Sequence, residues 1–171
     1  LSRKTVNELL KQLADSDEEL RIDLAEKQVR FNFSDTTMTS KVIDGKFPDY
    51  TRVIPNHTNH LVLNRVVIMQ ALQRAAILSN EKFRGVRLLL TENNLQIISS
   101  NSEQEEAQED IETSYKGTPL DIGFNVNYLL DGINYLNCDD VTFSFGDQNS
   151  SLLITTPDKN DYKYVVMPMR I

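Results

Sequence analysis

The sequence predicts an α+β fold in which helices lie on one face of antiparallel sheets, arranged as repeated β-α-β-β-β units. Three observations carry this. Apolar residues recur at i, i+3, i+4 and i+7 in three places, the mark of an amphipathic helix. Each of those stretches is followed by a pair of segments with strict apolar alternation, the period of a half-buried strand. No continuous apolar strand and no regular βα alternation occurs, which argues against a parallel, doubly wound sheet.

In chain order, the helical sets are Val6, Leu9, Leu10 and Leu13, then Ile68, Ala71, Leu72 and Ala75, then Val126, Leu129, Leu130 and Ile133. After the first helix, Leu20, Ile22 and Leu24 are answered by Val29, Phe31 and Phe33. After the second, Val86, Leu88 and Leu90 are answered by Leu95 and Ile97 across a turn at Glu92, Asn93 and Asn94. After the third, Val141, Phe143 and Phe145 are answered by Leu152 and Ile154 across residues 146–149. A further strand closes each unit, at 37–42, 107–115 and 162–167, and strands at 61–63 and 120–124 precede the second and third helices. The first unit begins at its helix, so its leading strand is expected upstream. One architecture copied along the chain points to geometry as the function. Pro48, Asp49 and Pro55 punctuate the join after the first unit, placing a boundary near Tyr50 and dividing the chain into 1–50 and 51–171.

Charge is sorted by segment. The chain of 171 residues has a net charge of -7, and residues 101–112 carry Glu103, Glu105, Glu106, Glu109, Asp110 and Glu112 with no cation, six of those seven charges. Residues 64–87 instead carry Arg65, Arg74, Lys82, Arg84 and Arg87 against Glu81 alone. The acidic run reads either as solvated surface or as a charged edge strand that refuses unwanted pairing while accepting a basic edge. Arg3, Lys4 and Lys11 on the first helix, and Gln70, Gln73 and Arg74 with nearby Arg84 on the second, read either as solubilising charge or as a repeated phosphate-facing surface. Cys138 is the single cysteine, which excludes an internal disulfide and suits a reducing compartment; it reads as a small buried hydrophobe. No stretch approaches the roughly 20 apolar residues of a membrane span and no leader pattern is evident, so a cytoplasmic setting without membrane partners is expected.

No catalytic constellation is present: there is no phosphate-cradling glycine loop, nucleophile elbow or zinc-type pair of motifs, and neither metal nor cofactor is expected. His57 and His60 have ligand-like spacing with no third ligand nearby and read as a solvated loop. Asp15, Ser16 and Asp17 sit where a helix must give way to a hairpin and read as a turn. Val165, Val166, Met167 and Met169 keep residues 165–171 apolar, and Pro168 should stop the last strand, leaving Met169, Arg170 and Ile171 with no element to bury them. Met-rich surfaces of that kind suit capture of varied peptides.

The strings SKVIDGKFPDYTRV, RAAILSNEKFRGVRLLL, NSEQEEAQE, IGFNVNYLLD and YVVMPMR resemble the bacterial sliding clamp, the beta subunit of DNA polymerase III, and the resemblance spans the chain. It implies a DNA clamp fold: three similar domains per subunit in a head-to-tail dimeric ring, of which residues 1–50 match the second half of the middle domain and 51–171 the last. It implies helices lining a hole threaded by duplex DNA without sequence readout, with Arg3, Lys4, Lys11, Arg74 and Arg84 at basic lining positions and Asn137 where relatives often have a cation. It implies a pocket for short peptides of replicative and translesion polymerases, the clamp loader and repair proteins, at Pro48, Arg52, Val53, Phe83, Asn125, Tyr128, Val166, Met167, Pro168, Met169 and Arg170. Finally, it implies a seam with a second subunit at Ile77, Leu78, Glu103, Glu105, Glu106 and Glu109. A peptide-binding module without a DNA role is the alternative, and a hydrolase using the Asp15 or acidic-run carboxylates a further one.

Overall fold

The computed structural model describes residues 1–13, 17–45, 47, 49–157 and 159–171, with backbone alone at 159–161; the turn expected at Asp15 and Ser16 lies outside these residues. The chain divides into two compact units, Leu1–Pro48 and Asp49–Ile171.

In the first unit, α1 (Arg3–Gln12) is followed by β1 (Arg21–Leu24), β2 (Gln28–Phe33) and β3 (Thr36–Lys41), an antiparallel sheet in sequential order. Ser2 starts the helix by accepting the Thr5 amide at 3.1 Å, a cap whose loss costs about 1 kcal/mol. The hairpin register is the expected one, Ile22 opposite Phe31 and Leu24 opposite Val29. The expected apolar faces are buried only in part, however. The helix turns Thr5 and Leu9 inward, the Thr5 hydroxyl bonding Ser40 on β3 at 2.7 Å, while Val6, Leu10 and Leu13 stay exposed. With α1 drawn toward β3, the outer strand β1 is uncovered within this unit and Leu24 is 80% exposed. Val29 and Phe31 form a small core with Leu9.

The second unit opens with a 3-10 turn at Tyr50–Arg52 and continues through β4 (Asn59–Asn64), α2 (Arg65–Ile77), β5 (Gly85–Thr91), β6 (Asn94–Ser100) and β7 (Glu106–Glu112). It repeats as β8 (Leu120–Asn125), α3 (Val126–Asn134), β9 (Asp140–Phe145), β10 (Leu152–Thr156) and β11 (Lys159–Val166). Strand turns directly into helix at Asn64 and again at Asn125, each side chain accepting an amide of the first turn, from Val67 at 3.2 Å and Asn127 at 2.9 Å. In the β5–β6 turn, Asn93 adopts φ 59°, a left-handed conformation that asparagine tolerates.

The two sequence repeats do not form two separate sheets. Their strands order as β11-β10-β9-β4 and β7-β6-β5-β8, so the leading strand of each repeat lies in the sheet of the other. Every pairing is antiparallel. Between the repeats α2 packs on α3, and Ile68, Ala71, Leu72, Ala75, Val126, Leu129 and Ile133 join the inward residues of both sheets in one core. Removing about 25 cal/mol of unfavourable hydration per Å² of apolar surface, this core is the main term holding the unit together.

Three local expectations change. His60 lies on β4 with Nδ1 2.8 Å from the Ser144 hydroxyl, and the half-buried His57 places Nε2 2.7 Å from the Ser151 carbonyl, so neither is a freely solvated loop residue. Cys138 is only partly buried; its carbonyl accepts the Arg65 Nε at 2.9 Å. Among the described residues, no group of three or more His, Cys, Asp or Glu could hold a metal ion, and no helix is long and apolar enough to cross a membrane, which says nothing of strands.

Candidate functional site

Val166 ends β11 opposite Leu152, and its side chain, 2% exposed, belongs to the core and offers no surface to a ligand. Beyond it the backbone leaves one sheet for the other. Met167 is exposed, Pro168 has no amide to donate, and the Met169 amide donates to the Gly123 carbonyl at 2.8 Å, forming an antiparallel bridge on the free edge of β8. This corrects the expectation that residues 169–171 have no element to pack on: Met169 is half-buried, and the Ile171 side chain lies over the backbones of Gly85 and Gly123.

Around this segment the structure gathers several expected pocket residues. Phe83, Met169 and Arg170 line a cavity of about 300 Å³ with Asn80, Gly85 and Ile171. Asn125 is tied to it by donating Nδ2 to the Phe83 carbonyl at 3.2 Å, and exposed Tyr128 lies one turn further along α3. A second cleft, of about 700 Å³, shares Met169, Arg170 and Ile171 and adds Gln148, Asn149 and the ion pair of Arg87 with Asp121. Arg52 and Val53 sit at the 3-10 turn, Arg52 paired with Asp49 at 3.2 Å. Pro48 lies outside the described residues. Gly123, Arg87 and Asp121 were missed at this place by sequence reasoning; a glycine inside an otherwise alternating strand is the one signal that something approaches its backbone there.

The acidic run becomes β7, an outer strand whose far edge is unpaired within its sheet. Glu106, Gln108, Asp110 and Glu112 face solvent, while Ala107, Glu109 and Ile111 are half-buried toward α2. Two of its carboxylates are held in place. Arg74 on α2 clamps Glu109 through Nε and Nη2, both at 2.7 Å, and this pair holds the Glu109 carboxyl below the usual Glu range. Gln108, Asn94 and Gln96 donate to Asp110 at 2.9 to 3.0 Å and lower its carboxyl in the same way. Before the strand, Asn101 accepts the amides of Glu103 and Glu105 and donates to the Glu105 carboxylate at 2.6 Å. Ile77, at the end of α2, is 77% exposed and borders a depression with Glu103, whereas Leu78 is half-buried as the helix cap.

The basic residues divide. Arg3 and Lys4 are exposed on α1, with Lys11 3.8 Å from Glu8. In the second unit neither expected cation stands alone. Arg74 holds Glu109, and Arg84, at φ 51°, bonds Asn80 and Val126 through its backbone and reaches the Ala76 carbonyl at the end of α2 with Nη1 at 3.5 Å.

The second unit thus combines interlocked antiparallel sheets, a charged free edge at β7, and a backbone segment that crosses between sheets and walls two clefts. Comparison with known proteins makes the class specific. The family model for the C-terminal domain of the DNA polymerase III beta subunit matches residues 51–170, and the model for its central domain matches 1–49. The beta sliding clamps of Salmonella typhimurium and Escherichia coli K12 are 47% and 46% identical over 99% of this chain and 46% of their own length. Among solved structures, two of the Pseudomonas aeruginosa clamp, one bound to griselimycin, are 45% identical with TM-scores of 0.92 and 0.88, covering 100% of this chain and 47% of theirs. The chain belongs to the beta sliding clamp family, and it spans about half the length of the curated relatives it matches.

Proposed function

We propose that this chain forms part of a ring-shaped, non-catalytic processivity factor that encircles duplex DNA and slides on it in the cytoplasm. It tethers polymerases, the clamp loader and repair proteins through short linear peptides. In this reading residues 1–50 are the C-terminal half of a middle domain and 51–171 a complete last domain. Residues 167–171 with Phe83, Asn125 and Tyr128 receive the peptides, β7 with Ile77 and Leu78 meets a second subunit, and exposed cations led by Arg3 and Lys4 face phosphate.

The observation that carries this is likeness along the whole chain to named sliding clamps, at 45–47% identity in sequence and TM-scores near 0.9 in fold. A ring that threads DNA should bind by topology and loose electrostatics, without reading bases. The test is retention of the intact protein, loaded by its clamp loader, on circular against linear duplexes across a salt series. Retention on circles that persists in salt while linear molecules lose it supports the ring; equal loss from both overturns it.

A second reading, a peptide-binding module without a DNA role, draws support from one observation: Arg74 and Arg84 already have partners within the chain. The same experiment separates the two, since such a module is retained on neither form.

A further inference from the structure

We infer that Gly123 is a positioning residue for peptide docking: its missing side chain is the space in which the backbone of Met169 is held, and through that bridge it sets where Met169 and Arg170 stand. This rests on the reading of residues 167–171 as part of a peptide site.

Gly123 lies on β8, paired on one side with Arg87 of β5 and on the other with Met169. A Cβ built at Gly123 would lie 2.5 Å from the Met169 carbonyl oxygen and 2.8 Å and 2.9 Å from two side-chain carbons of Ile171. Those three nearest atoms all come from the segment to be positioned. The first is backbone and cannot swing away without breaking the 2.8 Å bond from the Met169 amide to Gly123. Gly123 has no positive φ, so alanine suits the strand conformation and the conflict is with residues 169–171 alone. Gly85 makes a milder version of the same seat: there the nearest atom is the end of the Ile171 side chain at 3.0 Å, which can rotate.

The bridge also explains why the segment can wall two clefts. β11 and β8 are outer strands of different sheets, and the stretch from Val166 to Met169 crosses from one to the other. Anchored at Gly123, it presents Met169 and Arg170 to the Phe83 cavity and to the cleft beside Arg87 and Asp121. Unseated, it loses that fixed geometry, and a peptide must order it on binding.

The experiment uses the intact protein in four forms: wild type, Gly123→Ala, deletion of residues 167–171, and both changes together. Each is titrated with a fluorescein-labelled pentapeptide bearing an N-terminal Gln and C-terminal Leu-Phe, and melted in parallel. The deletion should abolish binding. Gly123→Ala should weaken it on the order of tenfold or more, the scale of losing an anchor, and should lower Tm only when residues 167–171 are present. Unchanged binding by the deletion form overturns the peptide-site reading itself. Binding lost on deletion but wild-type in Gly123→Ala overturns the positioning role alone, as does an equal Tm loss from Gly123→Ala with and without the segment, because the conflict would then lie inside the sheet.

Discussion

Arg74 and Glu109 are 35 residues apart in sequence, yet the guanidinium of one grips the carboxylate of the other through two 2.7 Å hydrogen bonds, tying the exposed side of α2 to the free edge of β7. Arg74 belongs to the expected DNA-facing surface and Glu109 to the expected seam between subunits, so the pair joins two proposed functions. Its geometry decides how much charge each surface has left.

The first consequence is for DNA. A cation already matched by a carboxylate contributes little counterion release, whereas exposed Arg3 and Lys4 are free to do so. Each phosphate interaction removed should flatten the dependence of log affinity on log salt by about 0.9. Arg3→Gln and Lys4→Gln in the intact protein should each approach that change, and Arg74→Gln should fall well short of it. A nitrocellulose or fluorescence titration over a salt series reads all three slopes; an Arg74→Gln effect as large as that of Lys4→Gln would return Arg74 to the lining.

The second consequence is for pH. The bond from Arg74 depresses the Glu109 carboxyl below its ordinary value. The contribution to stability is therefore complete above the unfolded carboxyl value and is lost as pH falls through the lowered folded one. Arg74→Gln should move the Glu109 transition upward toward the ordinary Glu range. Carboxylate carbon NMR of Glu109 in both forms checks this, and an unmoved transition would mean the clamp is absent in solution.

The third concerns the helix that carries Tyr128. Gly132→Ala in a helix ordinarily stabilises by about 1 kcal/mol. Here a Cβ would lie 2.8 Å from the Tyr164 ring and 3.0 Å from Ile154, and the Gly132 carbonyl accepts the Tyr162 hydroxyl at 2.7 Å, so α3 has no room to rise. Overpacking, at about 1–3 kcal/mol, should outweigh that gain and leave a net loss of up to about 2 kcal/mol in urea unfolding. Asn127→Ala, exposed on the same helix, should stay within about 0.5 kcal/mol.

What could be read in advance follows the range of the interaction. The inward stripes of α2 and α3 and the hairpin registers are set by neighbours three, four or a few residues away, and the pattern of Ile68, Ala71, Leu72 and Ala75 located them. In α1 the true inward residues are Thr5 and Leu9, because a threonine bonded to Ser40 replaces the apolar residue the pattern sought. The exchange of β4 and β8 between sheets depends on which distant edge each strand meets, and no periodicity encodes that. The same holds for the site. The apolar, proline-broken character of 165–171 was legible, whereas its seat on Gly123 and the pairing of Arg74 with Glu109 are contacts between side chains or backbones far apart in the chain.

The last prediction tests the seam. With Glu109 engaged by Arg74, Asp110 by three amides and Glu105 by Asn101, the expected seam carboxylates left to meet a partner are Glu103 and Glu106, near an exposed Ile77. Like charges crowded on one edge repel, and a basic edge from a second subunit would relieve them. Reversing Glu103 and Glu106 to Lys in the intact protein should weaken association strongly at low salt and far less at high salt, since exposed charges are screened over about 10 Å at 0.1 M. Ile77→Ser should weaken it at every ionic strength, because what it removes is apolar burial against the partner. It should do so with little change in Tm of the dissociated subunit, the side chain being exposed there. Leu78→Ala should instead affect both, since Leu78 is already half-buried against its own unit. Sedimentation velocity across a salt series, paired with melting at a concentration where the subunits are apart, resolves the three. If the charge-reversed protein associates as tightly as wild type at low salt, β7 is not the seam and its acidic edge is solvated surface.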